Sequence, residues 1–269
     1  MNQFDDVLKK REDDSHKGDY GRLLVIAGNE EMTGACQMTA LAAFRTGAGL
    51  VYLCVPKSTY AIFQTNIMEA ICLDRSKDID YGQFDTIAIG PGLGKGDDAV
   101  KLVTDVLNSF TGKLVIDADG INAISMNGLY DEVRNSKADI VITPHEGEAS
   151  RIIPRDDMDR TSWAKAISEK LGCITVLKGH RTVITDGEEV YINETGNPGM
   201  AVAGSGDVLT GVISSFLAQG ADVFKGAAAG SYVHGLAGDI AKETTGIRGL
   251  MPRDIIGCLP EAVIKTLGE

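Results

Sequence analysis

The feature that most narrows the fold is a rhythm. Short aliphatic runs, each closed by a turn rich in glycine or charge, alternate with stretches of helical spacing. "RLLVIAG" (Arg22–Gly28), "LVYLCV" (Leu50–Val55), "DTIAIGPGLG" (Asp85–Gly94), "KLVIDADG" (Lys113–Gly120) and "DIVITPHEGE" (Asp139–Glu148) read as buried strands. Between and after them, "TGACQMTALAAFRTGAG" (capped at Thr33, stopped at Gly47), "DDAVKLVTDVLNSF" and "TSWAKAISEKLG" (capped at Thr161 or Ser162) read as helices. "CITVLKGHRTVITDGEEVYI" reads as three short strands joined by tight turns. Strands alternating with helices predict an α/β fold with a parallel sheet covered on both faces. Ligands of such sheets bind outside the carboxyl ends of the strands. The turns "AGNEEMTG", "GPGLGKG", "DADGIN", "TPHEGE" and "KGHRT" all follow strands and could surround one extended ligand.

The C-terminal third changes character. Val208, Leu209, Val212, Ile213, Phe216 and Leu217 recur at the spacing of one helix face. A Gly/Ala-rich helix is expected at about 221–244, its small residues suiting either close core packing or a subunit interface, and a last helix at about 252–266. The whole length, 1–269, fits one large domain or two small ones, and 43% hydrophobic residues suffice for a full core.

Charge and cysteine content exclude several partners. With 26 basic against 38 acidic residues the net charge is −12, unlike a duplex nucleic-acid binder. The five cysteines are odd in number, widely spaced and without metal-ligand spacing, which predicts a reducing, cytoplasmic setting. The first residues hold no apolar signal segment. No uncharged apolar run reaches the roughly 18 residues of a membrane span.

The stretch most suggestive of chemistry is "GNPGMAVAGSGDVLTGVISSFLAQG" (Gly196–Gly220). Its glycines let successive N–H groups turn toward one point, and the helix that follows adds positive potential there. That is a seat for phosphate. Asp207 in the first turn reads either as an acidic residue complementing the helix dipole or as a general base taking a proton beside that seat. In "TPHEGE", His145, Glu146 and Glu148 lie near the same edge, with His145 equally readable as a turn residue. "LKGHRTVIT" is either a solvated hairpin or a source of backbone groups and cations for a nucleotide phosphate. The glycines of "GPGLGKG" either admit a ligand or only shape a turn, and Asp117 and Asp119 suit water, metal or helix capping. His16, His180 and His234 show no partner spacing. Walker A, nucleophile-elbow, H-E-x-x-H and G-x-G-x-x-G patterns are absent.

In combination and order, "SHKGDYGRLLVIAGNEEMTGA", "GAGLVYL", "IGPGLG", "VIDADGIN", "TPHEGE", "LKGHRTVI" and the Gly196–Gly220 stretch resemble the ADP/ATP-dependent NAD(P)H-hydrate dehydratases of the ribokinase-like superfamily. The resemblance runs from about Ser15 to the C-terminus. It implies a single domain over 1–269, a three-layer α/β/α sandwich with a mostly parallel central sheet. It also implies an enzyme that phosphorylates the hydroxyl of a hydrated nicotinamide ring in NADHX or NADPHX from ADP or ATP. Phosphate is then eliminated and NADH or NADPH restored. Asp207 matches the base. Ala203, Gly204, Ser205 and Gly206 match the anion hole, with Ala203 and Ser205 departing from the usual "GGTGD". His145 stands where related kinases carry Asn and, with Ala35, Gly92 and Asp207, matches the hydrate site. Lys178, Gly179, His180, Arg181, Thr182 and Gly206 match the adenine-nucleotide site. Magnesium is the implied cofactor, with Glu148 behind its water shell. A homotetramer and a separate NAD(P)H-hydrate epimerase are the implied partners, the chain being the form without a fused epimerase. A small-alcohol kinase for a thiazole or pyridoxal-type precursor, or a nucleotide-binding regulator without catalysis, are the other readings.

Overall fold

The strands alternate side chains between two buried layers. In the computed structural model, which describes Phe4, Val7 and residues 10–267, the strands are β1 (Arg22–Ile26), β2 (Leu50–Val55), β3 (Ile71–Asp74), β4 (Thr86–Ile89), β5 (Lys113–Ile116), β6 (Asp139–Ile142), β7 (Ile174–Leu177), β8 (Val183–Thr185) and β9 (Val190–Ile192). The helices are α1 (Thr33–Arg45), α2 (Tyr60–Asn66), α3 (Asp97–Ser109), α4 (Asp119–Asn127), α5 (Tyr130–Asn135), α6 (Glu146–Ile152), α7 (Arg160–Leu171), α8 (Ser205–Ala218), α9 (Val223–Gly249) and α10 (Pro252–Leu267). The extreme ends of the expected 1–269 domain, and most of the segment expected to lack a signal sequence, lie outside the described residues.

The strands form one sheet in the order β3-β2-β1-β4-β5-β6-β7-β8-β9. Pairing is parallel from β3 through β7 and antiparallel across β7-β8-β9. Leu24, Ile26, Ile87, Ile89, Leu114 and Ile116 face one core with the apolar sides of α3, α4 and α7. Their neighbours Leu23, Val25 and Ala88 face the other with α1, and Val115, Val141 and Val176 with α8. Both faces are therefore covered, and the chain is an α/β sandwich, as the alternation predicts.

Helix α8 carries more than the one apolar face expected. Leu209, Ile213 and Leu217 lie on the sheet, whereas Val208, Val212 and Phe216 pack against α9 and α10. A helix hydrophobic on two sides is an interior element, and this one opens with the Asp207 turn. The small residues of α9 allow close packing: a side chain on Gly230 would press on Ile213, and one on Gly238 on Met200. That helix is also longer than expected, with a non-helical break at Gly246.

Several boundaries differ from the sequence reading. Asp159 caps α7 by accepting from the N–H groups of Thr161 and Ser162, one turn-start earlier than expected. Thr33 is the first residue of α1 rather than its cap. The short helices α2, α4, α5 and α6 carry too few residues for their periodicity to show in sequence, and the edge strand β3 is only partly buried and lacks the continuous aliphatic run of its neighbours.

The sheet order reverses between β1 and β4, the switch point at which open α/β sheets bind ligands. The turns after these two strands touch, the Gly28 N–H donating to the Pro91 carbonyl at 2.8 Å. Arg75, just past β3, closes the same edge. Its Nη2 donates to the carbonyls of Ala27 (2.6 Å), Gly28 (2.8 Å) and Cys54 (2.9 Å), tying the ends of β1, β2 and β3 together.

Candidate active site

The start of α8 sits at the centre of this edge. Gly204 holds the left-handed conformation (φ +97°) that turns the chain into the helix, and a side chain there would strike Met38. The N–H of Val208 returns to the Gly204 carbonyl at 3.1 Å, so those of Gly206 and Asp207 have no intrahelical acceptor. The Ser205 N–H is spent inside the turn, on the Val202 carbonyl at 3.2 Å. Of the residues expected to form the anion hole, Ala203, Gly204, Ser205 and Gly206, Ser205 has its N–H engaged within the turn, while the N–H groups of Gly206 and, next to it, Asp207 open the helix.

Asp207 is half-buried, and its backbone carbonyl accepts from Thr39 Oγ1 at 3.1 Å. Burial, then the nearby charges of Asp117 and Asp119, push its carboxyl up to about 7 against the opposing pull of Lys178. A carboxylate in that range is suited to accept a proton near neutrality. Behind it, Ser205 Oγ meets His234 Nε2 at 3.4 Å. Burial holds that histidine down to about 4, hence neutral at physiological pH.

Three further strand ends deliver the remaining groups. After β5, Asp117 is buried, and its two oxygens take Lys178 Nζ at 2.5 Å and Thr210 Oγ1 at 2.7 Å. Asp119 opens α4 and accepts from the Gly94 N–H at 2.9 Å. After β6, His145 caps α6: its Nδ1 accepts from the N–H groups of Gly147 (2.9 Å) and Glu148 (3.3 Å). That leaves the proton of the neutral ring on Nε2, which lies 3.4 Å from Glu148 Oε1. Glu148 in turn accepts from the His145 N–H at 2.9 Å and lies 4.0 Å from Lys178 Nζ. Its carboxyl is raised chiefly by burial, with Lys178 opposing. The turn reading of His145 therefore holds, with Nδ1 in the helix cap and Nε2 beside Glu148.

After β7, Lys178 lies against the opening of α8: a Cβ on Gly206 would come within 3.3 Å of its Nζ. Arg160, absent from the sequence reading, fixes this strand end by donating to the carbonyls of Leu177 (3.0 Å) and Lys178 (3.2 Å) while pairing with Glu146. Gly179, His180, Arg181 and Thr182 follow as an exposed turn in which Arg181 adopts φ +55° and Thr182 Oγ1 donates to the Gly179 carbonyl at 3.1 Å. His180 and Arg181 line a cavity of about 510 Å³ with Asn193, Glu194, Thr195 and Gly196.

On the opposite side, Gly92 and Ala35 meet, a Cβ on Gly92 falling 2.9 Å from that of Ala35. Thr39, one helical turn beyond Ala35, bridges the Ala35 carbonyl (3.0 Å) and that of Asp207 (3.1 Å). Next to them a groove of about 1520 Å³ is lined by Asn29, Met32, Arg75, Leu93, Gly94 and Asp119, among others. The structure thus gathers Ala35, Gly92 and Asp207 through α1, and Lys178, Gly206 and Glu148 around Asp117. His180, Arg181 and Thr182 stand further along the β7 edge. Thr39, Thr210, Arg75 and Arg160 are absent from the sequence reading. They act through tertiary contacts and sit in no motif.

A crevice at the switch point, a helix start with free N–H groups and a half-buried carboxylate beside a lysine make a candidate anion-binding site of an α/β protein. The fold matches a ribokinase-like superfamily protein from Enterococcus faecalis V583 with a TM-score of 0.88 at 30% identity, covering 99% of this chain and 94% of that one. The sequence profile of the NAD(P)H-hydrate dehydratases matches residues 23–261. An ADP-dependent (S)-NAD(P)H-hydrate dehydratase from Neisseria meningitidis serogroup B is 38% identical, the match covering 94% of this chain and 88% of that one. The chain belongs to the NAD(P)H-hydrate dehydratase family. An ADP/ATP-dependent NAD(P)H-hydrate dehydratase from Bacillus subtilis, co-crystallized with ATP and Mg2+, superposes with a TM-score of 0.87 at 26% identity, covering 98% of this chain and 96% of that one. A bifunctional NAD(P)H-hydrate repair enzyme from Moorella thermoacetica is 38% identical over 97% of this chain, which spans 52% of its length.

Proposed function

We propose that this protein dehydrates NADHX and NADPHX at the expense of ADP, restoring NADH or NADPH and releasing AMP and phosphate. The observation that carries the reading is the placement of Asp207. Its carboxyl, held near neutrality, stands in the same helix turn as the N–H groups of Gly206 and Asp207 and close to Lys178. A hydroxyl seated there can lose its proton to Asp207 while the phosphoryl group arriving from the nucleotide is met by N–H dipoles and an ammonium. Phosphorylation converts a poor leaving group into a good one. Elimination then breaks the ring C–O bond, phosphate leaving with its electron pair, while the adjacent ring carbon gives up a proton and the electrons of that C–H bond form the double bond of the dihydronicotinamide.

The substrates divide between the two sides of α8. The turn Lys178–Thr182 and the cavity beside His180 suit the adenine nucleotide. Ala35, Gly92 and the Nε2–H of His145 suit the hydrated ring. Magnesium supplies charge neutralisation on the phosphates when bound. Among the described residues no three His, Cys, Asp or Glu side chains group as a metal cage. The buried Glu148 carboxylate fits an ion that keeps its waters and is otherwise held by phosphates.

The reading extends to one domain over 1–269, which the single continuous sheet supports. A cytoplasmic setting rests on the cysteine pattern; no helix among the described residues is long and apolar enough to cross a membrane. A homotetramer rests on the family resemblance alone. The bifunctional relatives support pairing with a second repair activity, for which an epimerase is the candidate.

The test supplies the purified protein with NADPHX, magnesium and either ADP or ATP and follows the near-ultraviolet absorbance of NADPH. Recovery that requires a nucleotide is expected. No recovery with either nucleotide contradicts the reading, and a stable phosphorylated alcohol as product would instead indicate a kinase.

A further inference from the structure

Asp117 has an environment that stability alone does not explain. It is 1% exposed and fully committed, with one oxygen on Lys178 Nζ (2.5 Å) and the other on the Thr210 hydroxyl (2.7 Å). A buried ion pair is often replaceable by apolar residues without loss of stability, so its presence points to something other than holding the fold. The backbone around it is constrained as well. Ala118, the next residue, sits at φ +49° and ψ −116°, a conformation strained for any residue with a side chain. The Asp117 carbonyl lies so close to Gly90 that any side chain there would overlap it. The Asp117 N–H donates to the Ile89 carbonyl at 3.1 Å. Asp117 is therefore anchored on β4 through its backbone while its side chain reaches the ends of β7 and α8.

What it reaches is the helix start. Thr210 is one turn into α8, and its hydroxyl also contacts the Gly206 carbonyl at 3.1 Å. A Cβ on Gly206 would fall 3.3 Å from Lys178 Nζ and 3.7 Å from Asp117 Oδ2, so both groups press on the turn where the N–H donors lie.

We propose that Asp117 is a positioning residue for phosphoryl transfer: by gripping Lys178 and Thr210 together it holds the lysine ammonium over the first turn of α8, where the transferring phosphoryl passes. Lys178 is then the group that meets the developing charge, and Asp117 positions it; the separate effect of the Asp117 charge on Asp207 is kept out of the comparison by reading kcat above about pH 8, where Asp207 is ionised in every variant. This rests on the reaction proposed above, in which the terminal phosphoryl of ADP moves to the ring hydroxyl, AMP leaves and Asp207 takes the proton. Without Asp117 the ammonium is free to wander, and a displacement of about 1 Å in such a group costs on the order of 10²-fold in rate.

The experiment is a double-mutant cycle on the whole protein with NADPHX, ADP and magnesium, reading kcat and KM separately. Asp117→Asn should lower kcat by about 10²-fold while the KM for ADP stays within a few-fold. Lys178→Met should lower kcat at least as much. The double variant should be no slower than Lys178→Met, because a residue acting through another adds nothing once that partner is gone. Thr210→Val, which removes one of the two anchors while keeping the helix packing, provides the same comparison if Asp117→Asn folds poorly. It should lose less in kcat and be equally silent beside Lys178→Met. Multiplicative losses, or an effect of Asp117→Asn confined to KM, would overturn the inference while leaving the reaction intact. Failure of the wild-type protein to turn over would remove both.

Discussion

Asp207 faces two opposed demands. As the proposed base it must be ionised to take a proton, yet burial and the neighbouring carboxylates of Asp117 and Asp119 resist its ionisation and place it at about 7. The kinetic consequence is an acid limb: kcat/KM should fall about tenfold per unit as pH drops below about 7. A profile flat down to pH 5 would exclude Asp207 as the base. Asp207→Asn should keep ADP binding, measured by calorimetry, and lose on the order of 10²–10⁴-fold in turnover. The thermodynamic consequence has the opposite sign. The folded carboxyl binds its proton more tightly than the unfolded one, so folding is favoured at pH below the unfolded value of 3.8 and this advantage is lost as pH rises through about 7. Asp207→Asn, which carries no such penalty, should therefore be more stable than the wild type at pH 8, by up to a few kcal/mol. The gap should close toward pH 4. A variant less stable than wild type at pH 8 in urea unfolding would show that the carboxylate is better solvated than its surroundings suggest.

At the scale of elements, the site depends on how closely α1 and α8 approach. A side chain on Gly211 would overlap the Thr39 carbonyl, and Thr39 is the residue that joins Ala35 to Asp207. Gly211→Val should consequently cost at least about 1–3 kcal/mol in overpacking and shift the midpoint of urea unfolding accordingly; an unchanged midpoint would mean the two helices slide apart freely. The turn between β5 and α4 makes the reverse case. Ala118 is strained at φ +49°, so Ala118→Gly should change stability by less than about 1 kcal/mol, relief of strain offsetting the added chain entropy, whereas Ala118→Val should be clearly destabilising. Equal losses in the two variants would argue that the turn is not strained. These same elements show what the sequence made legible. The aliphatic strands declare themselves as short apolar runs closed by turns, the amphipathic α3 by its period, and "AGSGD" by its glycines before an apolar run. The strand β3, four residues at a sheet edge and only partly buried, offers no period to read. Nor do Arg75, Thr39 or Arg160 belong to any local pattern, since each bonds to carbonyls 17 to 168 residues away in the chain. His145 is ambiguous in sequence because a helix cap and a ligand contact can both place a histidine after a strand; the structure shows Nδ1 in the cap and Nε2 3.4 Å from Glu148 Oε1.

At the scale of the whole molecule, the sheet order places the switch point between β1 and β4, and the turns after β1, β4, β5, β6 and β7 open on one edge. That edge divides into a side carrying Ala35 and Gly92 and a side carrying Lys178–Thr182, with α8 entering between them. The division accounts for an enzyme that must bring two nucleotides together at one proton and one phosphoryl group. The net charge of −12 is no obstacle to the proposed phosphate site, because attraction there would come from N–H dipoles and the partly buried Lys178 rather than from net charge. The central claim is that restoration of the nicotinamide ring proceeds through phosphorylation assisted by Asp207. The most direct measurement is the stoichiometry of the reaction on NADPHX with magnesium and ADP, counting AMP, phosphate and NADPH in the same sample for the wild type and for Asp207→Asn. The account predicts equal amounts of all three products from the wild type and essentially none from the variant. NADPH restored without matching AMP, or with equal efficiency by Asp207→Asn, would contradict it.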